Sequence, residues 1–231
     1  MKNKEKLSWY GASHFLWLTL HYPYPKIRHQ QMTYKAIVLD LDGTLTNNKK
    51  EITPLTKEAL MSAQRKGMRV ILASGRPTYG IRPVADALSI GSYDGYVMAY
   101  NGGCVTKWAD KTIIFNQTLD PALVPVLYKA AKDAPHHFEI LTYQGESIAA
   151  TNVNDEYVRH EAFINKMPLM QYDDFPNQVQ PPINKCLIVG DPSPLAILEK
   201  DLAVSLQGKC SVYRSADFFL ECVPCGIDKA A

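Results

Sequence analysis

Apolar positions along the chain alternate between short unbroken runs and helical stripes. Ala36, Ile37, Val38 and Leu39 form a continuous run, which predicts a strand buried on both faces of a parallel sheet. Residues 53–67 (TPLTKEALMSAQRKG) then read as a helix. Thr53 suits the N-cap, Pro54 the first turn, and Gly67 the stop, while Leu55, Ala59, Leu60 and Ala63 form the apolar stripe. MRVILAS at 68–74 predicts a second buried strand, and 77–91 a second helix broken by Gly80 and Pro83. GYVMAYNGG at 95–103 predicts a third strand running into a turn. Strand, helix, strand, helix, strand at this spacing predicts an α/β fold, a doubly wound parallel sheet with right-handed crossovers.

The alternation changes character after residue 103. CVTKW and KTIIFNQTL, separated by Ala109-Asp110, predict a hairpin. From Asp120 the pattern gives a helix at 121–133, strands at 138–143 and 147–151 around Gly145, and a helix at 155–165. A strand in INKCLIVGD, a helix at 192–206 and a closing pair of strands in CSVYRS and FFLECVP follow. This predicts an α+β module inserted into the first domain. The expected organisation is an extension at 1–31, the first part of the α/β domain at 32–118, the module at 119–223, and a return to the first domain at 224–231.

Composition narrows the class without naming it. The chain has 231 residues, long enough to bury a real core, and its formal net charge of +2 gives no sign of a nucleic-acid groove or an anionic membrane surface. Five scattered cysteines, an odd number, are unlike a disulfide framework and suit a reducing cytoplasm. Cys222-Val-Pro-Cys225 matches C-x-x-C but lacks a second pair. Residues 1–31 have a basic start and an apolar middle, yet the dense run from Phe15 to Leu20 is far short of a membrane span and no small-residue cleavage site follows. Met32 directly precedes the first strand, so the extension is expected to be poorly ordered.

The chemistry gathers at strand ends. Asp40 closes the first apolar run, Asp42 follows one residue later, and Gly43 turns the chain. In open α/β sheets ligands bind beyond the carboxyl ends of the strands, so two carboxylates there point to chemistry rather than packing. Ser74 and the Gly75 amide close the second strand ahead of a helix, where a hydroxyl and backbone N–H groups suit phosphoryl oxygens. Arg76 reads equally as a substrate contact or a structural pairing. Asn101 and Gly102 read as pocket residues or as simple turn formers.

DLDGTLT at 40–46, SGR at 74–76, NGG at 101–103 and GIDKA at 226–230 together resemble the haloacid dehalogenase superfamily of phosphatases, and its Cof-type sugar-phosphatase branch in particular. The resemblance runs from about Met32 to the end and implies a Rossmann-like core with an inserted α+β cap. It implies Asp40 as the nucleophile that forms an aspartyl-phosphate, and Asp42 as the general acid/base. It implies Mg2+ held by the Asp40 carboxylate and the Asp42 backbone carbonyl, which offsets the repulsion between carboxylate and phosphate. Thr44 would hold that loop or its neighbouring carboxylate. Lys229 matches the lysine that balances charge on Asp40 and the phosphate. The implied substrate is a small phosphorylated metabolite, sugar phosphates first.

The pattern also departs from the family. Where P-K-G-x-x-K is usual, Cys225 stands at the first lysine, leaving Lys229 intact. LIVGDP at 187–192 imitates the family's G-D-x-x-N-D motif, but Asp191 is followed by Pro-Ser-Pro-Leu and precedes Lys229, so it reads as a cap strand entering a cap helix. The resemblance implies a G-D-x-x-N-D segment and further strands after Lys229, whereas this sequence ends at Ala231. On that reading the sheet keeps an open edge and the metal site one carboxylate fewer, which makes a catalytically inactive fragment that at most binds ligands the alternative to a phosphatase; a phosphomutase, which shares the aspartyl-phosphate, is the second alternative. Because the first core strand begins near Tyr34, deleting residues 1–31 should leave the melting temperature within about 2 °C of the parent, which calorimetry would check; a larger fall places Trp9, Phe15 and Trp17 on the fold.

Overall fold

The computed structural model describes residues 34–47 and 49–227. The predicted extension at 1–31 and Lys229 lie outside the described residues. In chain order the elements are β1 (Ala36–Asp40), α1 (Pro54–Arg65), β2 (Arg69–Ala73), α2 (Thr78–Ala87), β3 (Tyr96–Ala99), β4 (Cys104–Lys107) and β5 (Thr112–Asn116). There follow α3 (Leu123–Asp133), β6 (Glu139–Gln144), β7 (Ser147–Ala150), α4 (Glu156–Asn165), β8 (Leu169–Gln171), α5 (Phe175–Gln178), β9 (Cys186–Val189), α6 (Pro192–Ser205), β10 (Ser211–Ala216) and β11 (Phe219–Val223).

These strands form two sheets. The first has the order β1-β2-β3-β4-β5, with β1, β2 and β3 parallel and the β4–β5 hairpin added antiparallel. Helices α1 and α2 supply the crossovers, and the registers Asp40↔Ala73 and Ala73↔Met98 bring all three parallel strands to an end at one edge. The Thr53 hydroxyl caps α1 by accepting from the Thr56 amide, as the sequence predicts. Two expectations fail. Helix α2 runs unbroken through Gly80 and Pro83: Pro83 has no N–H for the Tyr79 carbonyl, but Ile81, Val84 and Ala85 on either side of it are packed into the core and hold the helix in place. Nor is β1 buried on both faces: among the described residues it pairs only with β2, and Val38 stays 59% exposed.

The second sheet has the order β10-β11-β9-β6-β7-β8 and is antiparallel except for β7–β8. Strand alternation divides its residues between two faces. Ile140, Cys186, Ile188, Leu220 and Cys222 pack under α3, α5 and α6 with Leu127, Phe175 and Leu202. Leu141, Tyr143, Leu187, Val189 and Phe219 pack on the other side with Val158 and Ala162 of α4, and with Tyr79 and Tyr100 from the first sheet's side of the molecule. Tyr100 and Tyr143 meet edge to face at 5.6 Å. LIVGDP behaves as its departures predict: β9 lies in the second sheet and Asp191 leads into α6.

A glycine fixes the approach to β3. A Cβ on Gly95 would lie 2.6 Å from the Val70 carbonyl oxygen and 2.8 Å from Ile90, so the chain passes β2 at a distance no side chain allows. Gly95→Ala should therefore destabilise the fold by about 1–3 kcal/mol, and a urea or thermal unfolding curve superimposed on the parent's would refute the close approach.

Candidate active site

The ends of β1, β2 and β3 build one side of a cavity of about 560 Å³, and the second face of the six-stranded sheet together with α4 builds the other. After β1 the chain makes a tight turn. Leu41 and Leu45 turn inward, fully or nearly buried, and the amides of Leu45 and Thr46 return to the Leu41 carbonyl at 3.1 and 2.9 Å. Gly43 takes a left-handed conformation with φ +80° to make that reversal. Anchoring both leucines forces Asp42 outward, toward the cavity.

At the end of β2 the buried Ser74 hydroxyl accepts from the Arg76 amide at 3.2 Å, curling the S-G-R segment. The Asn101 amide donates to the Ser74 carbonyl at 2.9 Å, which binds the end of β3 to the end of β2. A Cβ on Gly75 would lie 2.9 Å from Asn101 Oδ1, so only glycine admits that side chain so close.

Asp42 is clamped. Arg76 Nε donates to Oδ2 at 2.8 Å and Nη2 to Oδ1 at 2.6 Å, while Lys50 Nζ reaches Oδ1 at 2.7 Å. Burial alone would raise the Asp42 pKa, but the hydrogen bonds and charges of Arg76 and Lys50 outweigh it and hold the carboxyl at about 2. Asp42 is thus an ionised acceptor throughout the neutral range in this arrangement. Since the folded value is depressed, the pairing favours the fold above the ordinary carboxylate range and is lost as pH falls toward 2. Arg76 also reaches the opposite wall of the cavity, with Nη1 donating to the Ile164 carbonyl at the end of α4 at 3.0 Å.

The facing wall carries buried charge. Lys185 and Glu221 pair at 3.2 Å with side chains only 3% and 6% exposed. Lys185 Nζ also donates to the Gly75 carbonyl at 3.0 Å. Asn101 Nδ2 donates to Tyr213 Oη at 2.9 Å and to Glu221 Oε2 at 3.3 Å, and Tyr213 donates to the same Glu221 oxygen at 3.2 Å. Each partner of this buried pair is therefore hydrogen-bonded as well as charge-paired, the condition under which burying ions is tolerated. Deeper in, Glu161 Oε1 accepts from Tyr143 Oη at 2.5 Å and from Asn165 Nδ2 at 2.7 Å. Burial first, and then the Glu161 charge, push the Tyr143 hydroxyl well above its usual pKa, so it remains a donor.

Of the residues singled out by sequence, Asp40, Asp42, Ser74, Gly75, Arg76 and Asn101 line this one cavity. Gly102, at φ +97°, shapes the turn beside it without lining it. Thr44 does not line it. It sits exposed on the outside of the turn and away from the lining, and the hydroxyl that holds the loop is that of buried Thr46, donating to the Leu41 carbonyl at 2.9 Å. For Arg76, open between two readings, the geometry shows the pairing with Asp42. Sequence reasoning missed Lys50, Glu161, Lys185, Tyr213 and Glu221. A lysine and a glutamate inside apolar strand patterns (NKCLIV and FLECV) were the available signal, since charges at inward positions need a reason.

The oxygen donors suit a hard cation. The Asp40 carboxylate lines the cavity, and the Asp42 main-chain carbonyl accepts no hydrogen bond from a described residue. Among the described residues no group of three or more His, Cys, Asp or Glu side chains is placed to hold a metal, so further oxygens would come from water and phosphate, as Mg2+ prefers.

A family model described as haloacid dehalogenase-like hydrolase matches residues 37–231. The chain is 48% identical to a haloacid dehalogenase-like hydrolase of known structure from Bacteroides thetaiotaomicron, over 86% of this chain and 74% of that one, with a TM-score of 0.83. "Putative phosphatase YxeH" of Bacillus subtilis (strain 168) is 28% identical over 81% of this chain and 69% of its own length. The structure of the HAD subclass IIB sugar phosphatase BT4131 shares the fold at a TM-score of 0.66 and 19% identity, covering 84% of this chain and 72% of that one. With the match running through both sheets and the cavity between them, the chain belongs to the haloacid dehalogenase-like hydrolases.

Proposed function

We propose that the chain is a Mg2+-dependent phosphatase of small phosphorylated metabolites, sugar phosphates first, acting through an aspartyl-phosphate on Asp40. The observation that carries this reading is the convergence of Asp40, Ser74–Gly75 and Asp42 on one cavity at the carboxyl edge of the parallel strands. The Asp40 carboxylate attacks phosphorus, the ester oxygen leaves with the bonding pair, and water later cleaves the acyl phosphate to return Asp40 and inorganic phosphate. Ser74 and the Gly75 amide receive the phosphoryl oxygens. Asp42 gives the leaving oxygen its proton and then takes one from water, which requires Arg76 and Lys50 to loosen their hold as substrate enters. The Asp40 carboxylate and the Asp42 main-chain carbonyl would hold Mg2+, which would supply charge neutralisation between nucleophile and phosphate. Lys229 matches the family's balancing lysine. Residues 119–223 act as the cap, and the links from Lys185 to Gly75, Asn101 to Glu221 and Arg76 to Ile164 support closure that excludes water. The five free cysteines suit a cytoplasmic setting, and no described helix is long and apolar enough to cross a membrane.

Asp40→Asn should abolish phosphoenzyme formation and turnover of p-nitrophenyl phosphate with Mg2+, and measurable turnover in that variant refutes the assignment. Asp42→Asn should slow sugar-phosphate hydrolysis by about 10²–10⁴-fold and p-nitrophenyl phosphate, with its good leaving group, distinctly less. Equal losses on the two substrates would remove the acid role. Lys185→Met leaves Glu221 buried without its cation and should cost about 3–5 kcal/mol in chemical denaturation, partly recovered in Lys185→Met/Glu221→Gln. A single variant as stable as the parent would show the pair to be dispensable.

A further inference from the structure

The wall facing the strand ends is rich in acceptors and its cations are already engaged. Lys185 is spent on Gly75 and Glu221, and Lys50 and Arg76 on Asp42. Against these, Glu161 and Glu221 bring two carboxylates to the lining from α4 and the six-stranded sheet, where Lys185 is the one lining cation among the described residues. Glu161 is 7% exposed, and its Oε1 already takes both the Tyr143 hydroxyl and the Asn165 amide. Its Oε2 accepts from no described residue, yet it is not among the sealed, unpartnered side-chain atoms. Glu161 lines the cavity, and a carboxylate oxygen this deep with no donor among the described residues demands one.

We propose that Glu161 sets specificity for the leaving group of the phosphate ester, selecting one that presents a protonated amine or, second best, neutral hydroxyls, and rejecting one that carries a second anion. The phosphate half of this ligand rests on the phosphatase reading above; the selection at Glu161 stands on the cap wall. An ammonium supplies Oε2 with a charge-assisted donor and offsets the surplus negative charge of the wall. A carboxylate or second phosphate there meets the like charge of Glu161 and Glu221, while Lys185, the cation of that wall among the described residues, is held by Glu221 and the Gly75 carbonyl. Tyr143 and Asn165 hold the Glu161 carboxylate at a fixed angle, so the preference is built into the wall in advance of binding.

The test is equilibrium binding to the Asp40→Asn protein with Mg2+, using glucosamine 6-phosphate, glucose 6-phosphate, 6-phosphogluconate and inorganic phosphate. Affinity should fall in the order amine, neutral sugar, acid, with at least about tenfold between the first and the last, and Glu161→Gln should shrink that ratio by about tenfold. A ratio under about threefold, a ratio unmoved by Glu161→Gln, or sugar phosphates binding no better than inorganic phosphate overturns the proposal. If Glu161→Gln fails to fold by circular dichroism, the affinity ratio in the Asp40→Asn protein and in a Glu161→Asp version decides alone. Should the parent hydrolyse none of these esters while the binding order holds, the phosphatase reading falls and the Glu161 selection stands.

Discussion

A buried guanidinium must place its donors, and Arg76 is where this structure meets that demand. Its side chain is 10% exposed, and arginine cannot lower the cost of burial by shedding its proton. Two of its N–H groups fork onto Asp42 and a third reaches the Ile164 carbonyl. One rigid planar group thereby fixes the carboxylate beside Asp40 and the C-terminal end of α4. Lysine, with a single point of charge, could serve either partner but not both in this geometry. The orientation of Asp42 and its link to the C-terminal end of α4 therefore depend on the same side chain.

The six-stranded sheet answers with a comparable arrangement. Lys185 spans from the six-stranded sheet to Gly75, and Glu221 gathers Lys185, Asn101 and Tyr213. Strand period puts Lys185 and Glu221 on the face opposite Cys186, Ile188, Leu220 and Cys222, so one strand can serve an apolar core and a polar cavity at once. Such networks contribute less to net stability than their length suggests, because desolvation offsets the attraction. Their effect is positional: the ends of β2 and β3 are held to each other and to the wall above them.

The fold was legible where local signals agreed. Thr53, Pro54 and Gly67 bound α1 as their chemistry requires, and the apolar runs at 36–39 and 69–73 are β1 and β2. The short β8 and α5 were not foreseen, since three or four residues carry too little periodicity to read. Within the site, the residues that follow strand ends in close succession were visible, whereas Lys50, Glu161, Lys185, Tyr213 and Glu221 arrive from sequence positions far apart. Two threonines flank Leu45, and which of them turns inward was not legible either, since only the turn's hydrogen bonds place Thr46 there.

The clamp on Asp42 also limits how the cavity can respond to an anion. A phosphate oxygen approaching Arg76 competes for the same forked donors that hold Asp42, and both contacts cannot be ideal at once. Any swing of the guanidinium toward the newcomer also strains its bond to Ile164, which belongs to the other wall. Lys50, on the loop after β1 and only partly buried, can follow either charge with less loss. The cost of admitting an anion thus falls first on Arg76, and through it on the contact between the two walls, while the hydrogen bonds from Lys185 and Asn101 remain to keep the strand ends in place.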